Sequence, residues 1–302
     1  MNRYFSVSHE VRQALDAGAP VVALESTIIT HGFPYPANLE CALEVERVVR
    51  EEGATPATVG VVGGVLTVGI DREQIARFAS AGATAKASRR DLPVLAAQGA
   101  DGGTTVAATM VAAARAGIRV FATGGIGGVH RGAERTFDIS ADLTELARTD
   151  VAVVCAGAKS VLDIGLTLEY LETAGVPVIG YRTAQFPAFY TRTSGHAAPH
   201  RADTPAEVAR IIEAKHGMGL AGGVVVANPI PAPYALDDAL IESVIDSALS
   251  EAGSAGVEGS AVTPFLLARI HTVTGGASEE ANKQLVYANA RLASSIAAAI
   301  RP

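Results

Sequence analysis

Short runs of β-branched residues alternate along this chain with longer segments of helical spacing. Each run ends in Gly, Ser, Thr or Asn, which is typical of strands that lead into functional loops. The runs are PVVALEST, ATVGVVGGVLTVG, IRVFATGG, DVAVVCAG, VPVIGYRT and GGVVVANP, and helical segments between them include NLECALEVERVVREEGA, DREQIARFASAG and TTVAATMVAAARAG. This order predicts an α/β fold with a largely parallel sheet, helices on both faces, and a ligand site beyond the carboxyl ends of the strands.

The length of 302 residues allows one large α/β domain or two smaller ones. Residues 196–220 begin as a loop and continue as an amphipathic helix, without a linker, repeat or low-complexity tract. The tail from Glu279 has helical spacing and is expected to pack on the sheet. We therefore predict a single catalytic domain over 1–302.

Charge and cysteine content exclude several classes of protein. The net charge is −7 and no dense basic run is present, which argues against a nucleic-acid partner. Charges interrupt the first 18 residues every few positions, so we expect neither a signal peptide nor a membrane span, and a cytoplasmic protein. Cys41 and Cys155 are too few for a disulfide framework or a metal cage, and Cys155 is expected to be buried.

Glu25 stands at the end of an apolar run, in ALESTIITHGFPYP. A carboxyl group at the carboxyl end of a strand can lose part of its hydration, which suits it to exchange a proton near neutral pH. The alternative is a glutamate that anchors the following loop by accepting N–H hydrogen bonds.

Three cations lie within five residues of GATAKASRRDL: Lys86, Arg89 and Arg90. Such a cluster can bind a phosphate, with lysine as a point charge and arginine through its planar fork. The alternative is a basic surface turn. Lys86 is the better candidate because its small neighbours allow a ligand to approach.

Two glycine-rich turns, DGGTTVAATM and ATGGIGGVHRGAE, could hold a phosphate on backbone N–H groups, or could contain glycine only for tight turns. Neither matches a nucleotide-binding fingerprint. His130 stands where a dinucleotide loop requires glycine, and Ala158 stands where a P-loop requires glycine before its lysine. A sugar kinase is therefore disfavoured.

The stretch from Phe137 to Thr173 contains Asp138, Asp142 and Lys159. Asp142, with Glu145 three residues later, could be a helix N-cap with its capping box. Alternatively, Asp138 and Asp142 supply hard oxygen ligands for Mg²⁺ or Mn²⁺. Lys159 lies between a predicted strand end and a predicted helix start, where a neutral amine could attack a sugar aldehyde and form a Schiff base.

These motifs together resemble the pseudouridine-5′-phosphate glycosidases, over about residues 18–295. The resemblance is carried by ALESTIITHGFPYPAN, KASRRDL, GGTTVAATM, TGGIGGVHRGAERTFDISADLTEL, CAGAKSVLDIGLTLEYLET, FPAFYTRTSG, NPIP and VTPFLLARI. It implies a three-layer αβα sandwich assembled as a homotrimer. It also implies an enzyme that makes or breaks a C–C bond between ribose 5-phosphate and a planar aglycone.

The resemblance implies a role for each matching residue. Glu25 matches the proton donor, and Lys159 matches the nucleophile that captures ribose 5-phosphate at C1 as an open-chain imine. Asp138 matches the manganese ligand. The positions that match substrate contacts are Lys86, Val106, Ser140, Ala141 and Asp142, with His130 and Asn282 near the base.

Several positions depart from the family pattern where the aglycone or an interface would lie. They are Gly63, Ala232, Ser260 and the residues after Ser278. Because the sugar-side motifs are intact, a changed aglycone would account for these departures. We favour C-ribosylation of an aromatic polyketide, as in alnumycin-type antibiotic biosynthesis, slightly over uracil as the aglycone. A Schiff-base aldolase and a binding module without activity are the alternatives from other classes.

Overall fold

The computed structural model of the chain describes residues 3–82, 84–257 and 262–301, and a mixed sheet runs through it. The strands are β1 (Phe5–Val7), β2 (Val21–Leu24), β3 (Thr55–Val62), β4 (Val65–Val68), β5 (Ala85–Ala87), β6 (Gly102–Thr104), β7 (Val120–Ala122), β8 (Val129–His130), β9 (Ala152–Cys155), β10 (Leu162–Asp163), β11 (Val178–Tyr181), β12 (His200–Ala202) and β13 (Val224–Ala227). The order across the sheet is β1-β4-β3-β2-β7-β9-β13-β11-β12.

Seven neighbouring strands of this order, from β3 to β12, are parallel. Antiparallel pairing occurs at one side, where β4 and β6 pair with β3, and β5 pairs with β6. Strands β8 and β10 form a separate antiparallel pair. All residues of β2, β7, β9, β11 and β13 are buried, as expected for a parallel sheet that is covered on both faces.

The helices are α1 (His9–Asp16), α2 (Ala37–Glu51), α3 (Arg72–Ser80), α4 (Leu92–Gln98), α5 (Val106–Ala116), α6 (Ala133–Thr136), α7 (Ala141–Leu146), α8 (Ile164–Thr173), α9 (Pro205–Gly217), α10 (Asp238–Ser254), α11 (Val262–Val273) and α12 (Ala277–Ala299). In one helical layer α12 packs on α2, α9 and strands β2, β7 and β9, whereas in the other α5 packs on α7 and strands β2, β3 and β7. The result is a three-layer αβα arrangement.

Helix α5 illustrates how local sequence sets the boundaries of an element. The Thr105 side chain accepts the N–H of Ala108 at the N-terminal end, and Gly117, with φ of 90°, ends the helix in the left-handed region. Most of the helix between them is alanine and is buried, so it lies close against the sheet. This close packing brings the start of α5 to the edge where the strands end.

The predicted fold class is confirmed, and so are the helix within 196–220, the packing of the tail helix on the sheet, and the burial of Cys155. Cys41 is buried as well. Among the described residues, no helix is long and apolar enough to cross a membrane.

Two local predictions were wrong. The run ATVGVVGGVLTVG is not one strand but the hairpin β3–β4, because Gly63 and Gly64 both take positive φ and reverse the chain. Lys159 does not directly precede a helix. A turn and β10 follow it, and α8 begins only at Ile164, where the Asp163 side chain caps the helix by accepting the N–H of Leu166 at 2.9 Å.

Candidate active site

The carboxyl ends of four adjacent parallel strands place polar residues along one edge of the sheet. Glu25 follows β2, Thr123 follows β7, and Asn228 follows β13. The segment after β9 carries Lys159, whose N–H donates to the carbonyl of Ile126 at 3.1 Å. The ligand site predicted beyond the strand ends therefore has a structural counterpart at this edge, which we call the cleft.

Glu25 accepts hydrogen bonds from two hydroxyl groups in the cleft. Thr27 donates to one carboxylate oxygen and Thr123, from the neighbouring strand end, donates to the other. The carboxylate is only partly buried. Its described partners are hydroxyls rather than the N–H groups of a loop anchor, so it is oriented by groups that can both donate and accept a hydrogen bond.

Lys86 lies on β5, where it is paired in register with Gly103 of β6. Desolvation lowers the pKa of Lys86, and the positive charge of Lys159 lowers it further. The carboxylates of Asp142 and Glu25 act in the opposite direction. These effects require Lys159, Asp142 and Glu25 each to lie near Lys86, so the structure brings to Lys86 residues that are as many as 134 positions apart in the sequence.

Asp142 is buried, and each of its carboxylate oxygens accepts a backbone hydrogen bond of 2.9 Å. The donors are the N–H of Ala107, in the first turn of α5, and the N–H of Gly127, in the glycine-rich turn after β7. The N-cap of α7 is Ser140 and not Asp142, because the Ser140 hydroxyl accepts the N–H of Asp142 at 3.2 Å. The capping-box interpretation of Asp142 was therefore wrong, and this carboxylate instead joins three segments of the site.

The other predicted substrate contacts lie beside Asp142. Ser140 and the exposed Ala141 begin α7. Val106 begins α5 and is buried, with 2% of the residue exposed. Within the described chain, Asp142 and Thr105 accept the next two N–H groups of α5.

His130 and Asp138 form a pair on the loop after the glycine-rich turn. Their side chains approach to 3.7 Å between Nδ1 and Oδ2, and the N–H of His130 donates to the carbonyl of Asp138 at 3.0 Å. Strand β8 places His130 opposite Leu162, close to the Lys159 loop. Desolvation lowers the pKa of His130, against the charge of Asp138, and the charges of Lys86 and Lys159 lower it further.

The donor set for a metal ion is small. Among the described residues, no group of three or more His, Cys, Asp or Glu side chains is arranged to hold a metal ion. Asp138 and His130 can supply two ligands. A carboxylate site of this kind fits Mg²⁺ or Mn²⁺ when water and substrate oxygens complete the coordination.

The glycine-rich turn is used for close packing. A Cβ at Gly125 would lie 2.5 Å from Phe189, one at Gly127 would overlap Ser140 and lie 2.7 Å from Asp142, and one at Gly128 would overlap Thr167. None of the three takes positive φ, so close packing, rather than the tight turn considered from the sequence, requires glycine here.

The arginines of the cation cluster are occupied elsewhere. Arg89 binds the buried carboxylate of Glu145 through Nε at 2.5 Å and Nη2 at 2.8 Å. The Arg90 side chain is 91% exposed beside Asp91. Of the three cations, Lys86 is therefore the one that the cleft contains.

Asn282 reaches the cleft from α12, where its Oδ1 would lie 3.3 Å from a Cβ at Gly124. Sequence reasoning missed Asn289, which lies seven residues further along the same helix. This buried amide donates to the carbonyl of Thr123 at 2.8 Å and accepts from the Asn228 side chain at 3.0 Å, so it ties α12 to two strand ends. An asparagine within an apolar helical face was the available signal.

The departures from the family pattern are scattered. Gly63 lies in the β3–β4 turn and Ala232 lies in a short 3₁₀ turn after β13, whereas Ser260 lies outside the described residues.

A cavity of about 910 Å³ between α8 and residues 196–200 is lined by none of the predicted site residues.

Comparisons with known proteins agree across nearly the whole chain. Residues 10–299 match the family model described as indigoidine synthase A like protein. A pseudouridine-5′-phosphate glycosidase of Hahella chejuensis is 58% identical over 99% of both chains. One from Escherichia coli is 57% identical over 96% of this chain and 94% of its own.

Two solved structures share the fold. The prealnumycin C-glycosynthase AlnA, in complex with ribulose 5-phosphate, superposes with a TM-score of 0.93 at 43% identity, over 99% of this chain and 98% of its own. An indigoidine synthase A-like protein from Thermotoga maritima gives 0.88 at 35% identity, over 97% and 95% of the two chains. The predicted resemblance is thus confirmed.

Proposed function

Because the chain belongs to the indigoidine synthase A like protein family, we propose that it is a pseudouridine-5′-phosphate glycosidase. It would cleave or form the C–C bond between uracil and C1 of ribose 5-phosphate. The observation that carries this proposal is the grouping of the Lys159 amine with Glu25, Lys86 and Asp142 at the carboxyl ends of the strands. The relatives bearing that name, at 54–58% identity, support uracil as the aglycone.

The polyketide aglycone that we favoured from the sequence has less support. The solved structure named as a C-glycosynthase is 43% identical to this chain, below the 54–58% of the relatives named as glycosidases. The departure at Gly63 lies in the β3–β4 turn and the departure at Ala232 lies in the turn after β13, and neither by itself identifies an aglycone. Uracil is therefore the aglycone of the proposal, and the polyketide is tested beside it.

A lysine nucleophile suits this bond. Protonating an oxygen cannot release a carbon-linked base, so the two-carboxylate chemistry of O-glycosidases does not suffice. In cleavage, Lys159 Nζ bonds to C1 while the bond from C1 to the ring oxygen breaks, and Glu25 gives that oxygen its proton. The nitrogen has now taken the place of the ring oxygen at C1.

Glu25 then recovers a proton from the substituted nitrogen. The C–C bond breaks as the nitrogen lone pair forms an iminium at C1, and uracil C5 takes the proton back from Glu25. Water hydrolyses the iminium, which frees ribose 5-phosphate and restores the amine. The sum is pseudouridine 5′-phosphate plus water giving uracil plus ribose 5-phosphate.

Phosphate binding is assigned to Lys86 and to the start of α5. The ammonium supplies a point charge, and the Val106 N–H supplies a donor at the positive end of the helix dipole. Ser140 and Ala141, at the start of α7, are assigned to the sugar phosphate, with Asp142 holding the two helix starts together.

The base side of the cleft is assigned to His130 and Asn282. A divalent ion such as Mn²⁺ would be held by Asp138, with His130 as its neighbour, and would stabilise negative charge on substrate oxygens. Equilibrium dialysis of the wild-type protein and Asp138→Asn with Mn²⁺ alone tests that assignment. Equal binding by both proteins would remove Asp138 as a ligand.

The test of the function is mass spectrometry after incubation with ribose 5-phosphate, Mn²⁺ and either uracil or a hydroxylated naphthoquinone. The proposal expects a product of uracil and ribose 5-phosphate with loss of one water. It also expects a borohydride-trapped sugar on Lys159, which Lys159→Ala abolishes. Product only with the naphthoquinone would show that the protein is a C-glycosynthase acting on an aromatic aglycone.

A Schiff-base aldolase is distinguished in the same experiment. An aldolase would give a trapped adduct with a sugar phosphate but no C-glycoside with either aglycone.

The homotrimer stays a prediction, and light scattering of the purified protein tests it.

A further inference from the structure

His31 lies six residues after Glu25, on a π-helical turn formed by Ile28–Gly32. Turns of this kind occur often at functional sites. No role for His31 was predicted from the sequence. Its neighbours nevertheless bring it to Lys86, on a strand that is more than fifty residues away in the sequence.

The missing side chain of Gly103 determines this arrangement. A Cβ at Gly103 would overlap the Thr30 hydroxyl, so Thr30 occupies the space that a side chain at 103 would take. Gly103 is the register partner of Lys86 in the parallel pair β5–β6. Because side chains at paired positions point to the same face of a sheet, Lys86 and the Thr30–His31 turn lie on one face.

The imidazole of His31 is held in a defined orientation. Thr30 Oγ1 lies 2.6 Å from His31 Nδ1 and 3.3 Å from the carbonyl oxygen of Ser26. The hydroxyl has one proton, which it can give either to Nδ1 or to the carbonyl oxygen. When the hydroxyl donates to Nδ1, the neutral ring carries its own proton on Nε2, as a donor on an exposed side chain, and an anion at Nε2 would favour this tautomer.

Two other groups that attract an anion lie beside this donor. One is the Lys86 ammonium. The other is the start of α5, which follows β6 directly and is tied to β5 by the hydrogen bond of 2.9 Å from the Thr105 N–H to the Ala87 carbonyl. Partial desolvation and the charge of Lys86 lower the pKa of His31, which favours the neutral form of the ring near pH 7.

We propose that the Nε2–H of His31 donates to the phosphate group of the sugar phosphate, beside Lys86, and so favours a phosphorylated over an unphosphorylated sugar. The inference rests on the proposed function for the identity of that sugar. It does not rest on it for the presence of a phosphate site. His31 would thus be a binding residue for the substrate and would take no part in proton transfer at C1.

The test compares wild type, His31→Ala and His31→Gln in borohydride trapping of ribose 5-phosphate and of ribose. Glutamine can place an N–H where Nε2 lies, whereas alanine cannot. For His31→Ala we expect the half-saturating concentration of ribose 5-phosphate to rise about tenfold, the effect of one hydrogen bond to a charged group. Ribose trapping should stay unchanged, and His31→Gln should recover most of the loss.

A second measurement does not depend on catalysis. Inorganic phosphate should raise the melting temperature of the wild type and of His31→Gln more than that of His31→Ala. If borohydride traps no sugar on the wild-type protein, the proposed function fails. The effect of phosphate on the melting temperature then tests by itself whether His31 binds phosphate. Equal losses with ribose and ribose 5-phosphate, or equal phosphate stabilisation of all three proteins, would overturn the proposal.

Discussion

The carboxylate of Asp142 accepts the backbone N–H of Gly127 at 2.9 Å and so ties the start of α7 to the glycine-rich turn after β7. Its second oxygen accepts the N–H of Ala107 in α5. One buried side chain therefore sets the relative positions of the segments that lead to Val106, Ser140 and His130. The geometry of the cleft depends on this carboxylate having two acceptor oxygens.

Asp142→Asn tests that dependence. The amide keeps one acceptor oxygen but presents an NH₂ group to the other N–H, so one buried donor loses its partner. We expect the free energy of unfolding to fall by about 1–3 kcal/mol, together with a loss of turnover. Urea denaturation and steady-state kinetics measure the two effects, and unchanged stability would show that the carboxylate does not bridge these segments.

Gly127→Ala tests the close packing of the same turn. The added Cβ would overlap Ser140 and press on Asp142, and because φ at 127 is not positive, the effect is steric rather than a backbone preference. We expect a loss of about 1–3 kcal/mol in stability and a clear loss of turnover. Gly217→Ala, at the end of α9 with open space around it, is the matched control and should be neutral or slightly stabilising. Similar losses in both variants would contradict the packing argument.

Substitutions of Arg89 and Lys86 should have different effects, the first on stability and the second on substrate binding. Arg89→Ala leaves the Glu145 carboxylate, 2% exposed, with the Thr149 hydroxyl as its remaining described side-chain partner, so we expect a loss of about 1–3 kcal/mol in stability and an unchanged KM for ribose 5-phosphate. Lys86→Ala should instead raise that KM about tenfold or more, with little effect on the melting temperature. A raised KM in Arg89→Ala would return that arginine to the phosphate site.

The two buried cysteines should become reactive only when the protein unfolds, and they should make its stability depend on alkaline pH. Burial raises the pKa of both thiols from the ordinary value of 9.0 to about 12. At pH 8 neither thiol should react with a disulfide reagent until the protein unfolds. Between about pH 9 and 12 the unfolded state holds fewer protons than the folded state, so these thiols should make stability fall as pH rises through that window. Rapid labelling of the native protein at pH 8 would contradict their burial.

Sequence pattern predicted most of the architecture because the parallel strands are buried on both faces and so form apolar runs. Strands β7 and β9 are short, but every residue in them is buried. The strands that the pattern did not predict include two that depend on pairing between distant segments. Strands β5 and β6 have three residues each; they pair with each other, and β6 also pairs with β3. Local periodicity contains no signal for such a partner.

The candidate site divides in the same way. Glu25, Lys86 and Lys159 were identifiable as charges in apolar or small-residue surroundings, and the family resemblance gave each of them an expected role. The pairing of Arg89 with Glu145 was not identifiable, because an ion pair over 56 positions depends on how α7 and the 3₁₀ turn Arg89–Asp91 both pack against α5. Asn289 was missed for a similar reason, since its partners Thr123 and Asn228 belong to distant strand ends.

The sequence alone determined the buried parallel strands, the longer helices and the candidate reactive groups, since these properties follow from local side-chain chemistry and period. Tertiary structure alone decided which carboxylates form hydrogen bonds or ion pairs and which cation faces the cleft. It also decided which face of β5 lies beside His31. Those outcomes depend on burial and on contacts between segments far apart in the chain, where one missing Cβ at Gly103 or one buried acceptor at Asp142 sets the geometry.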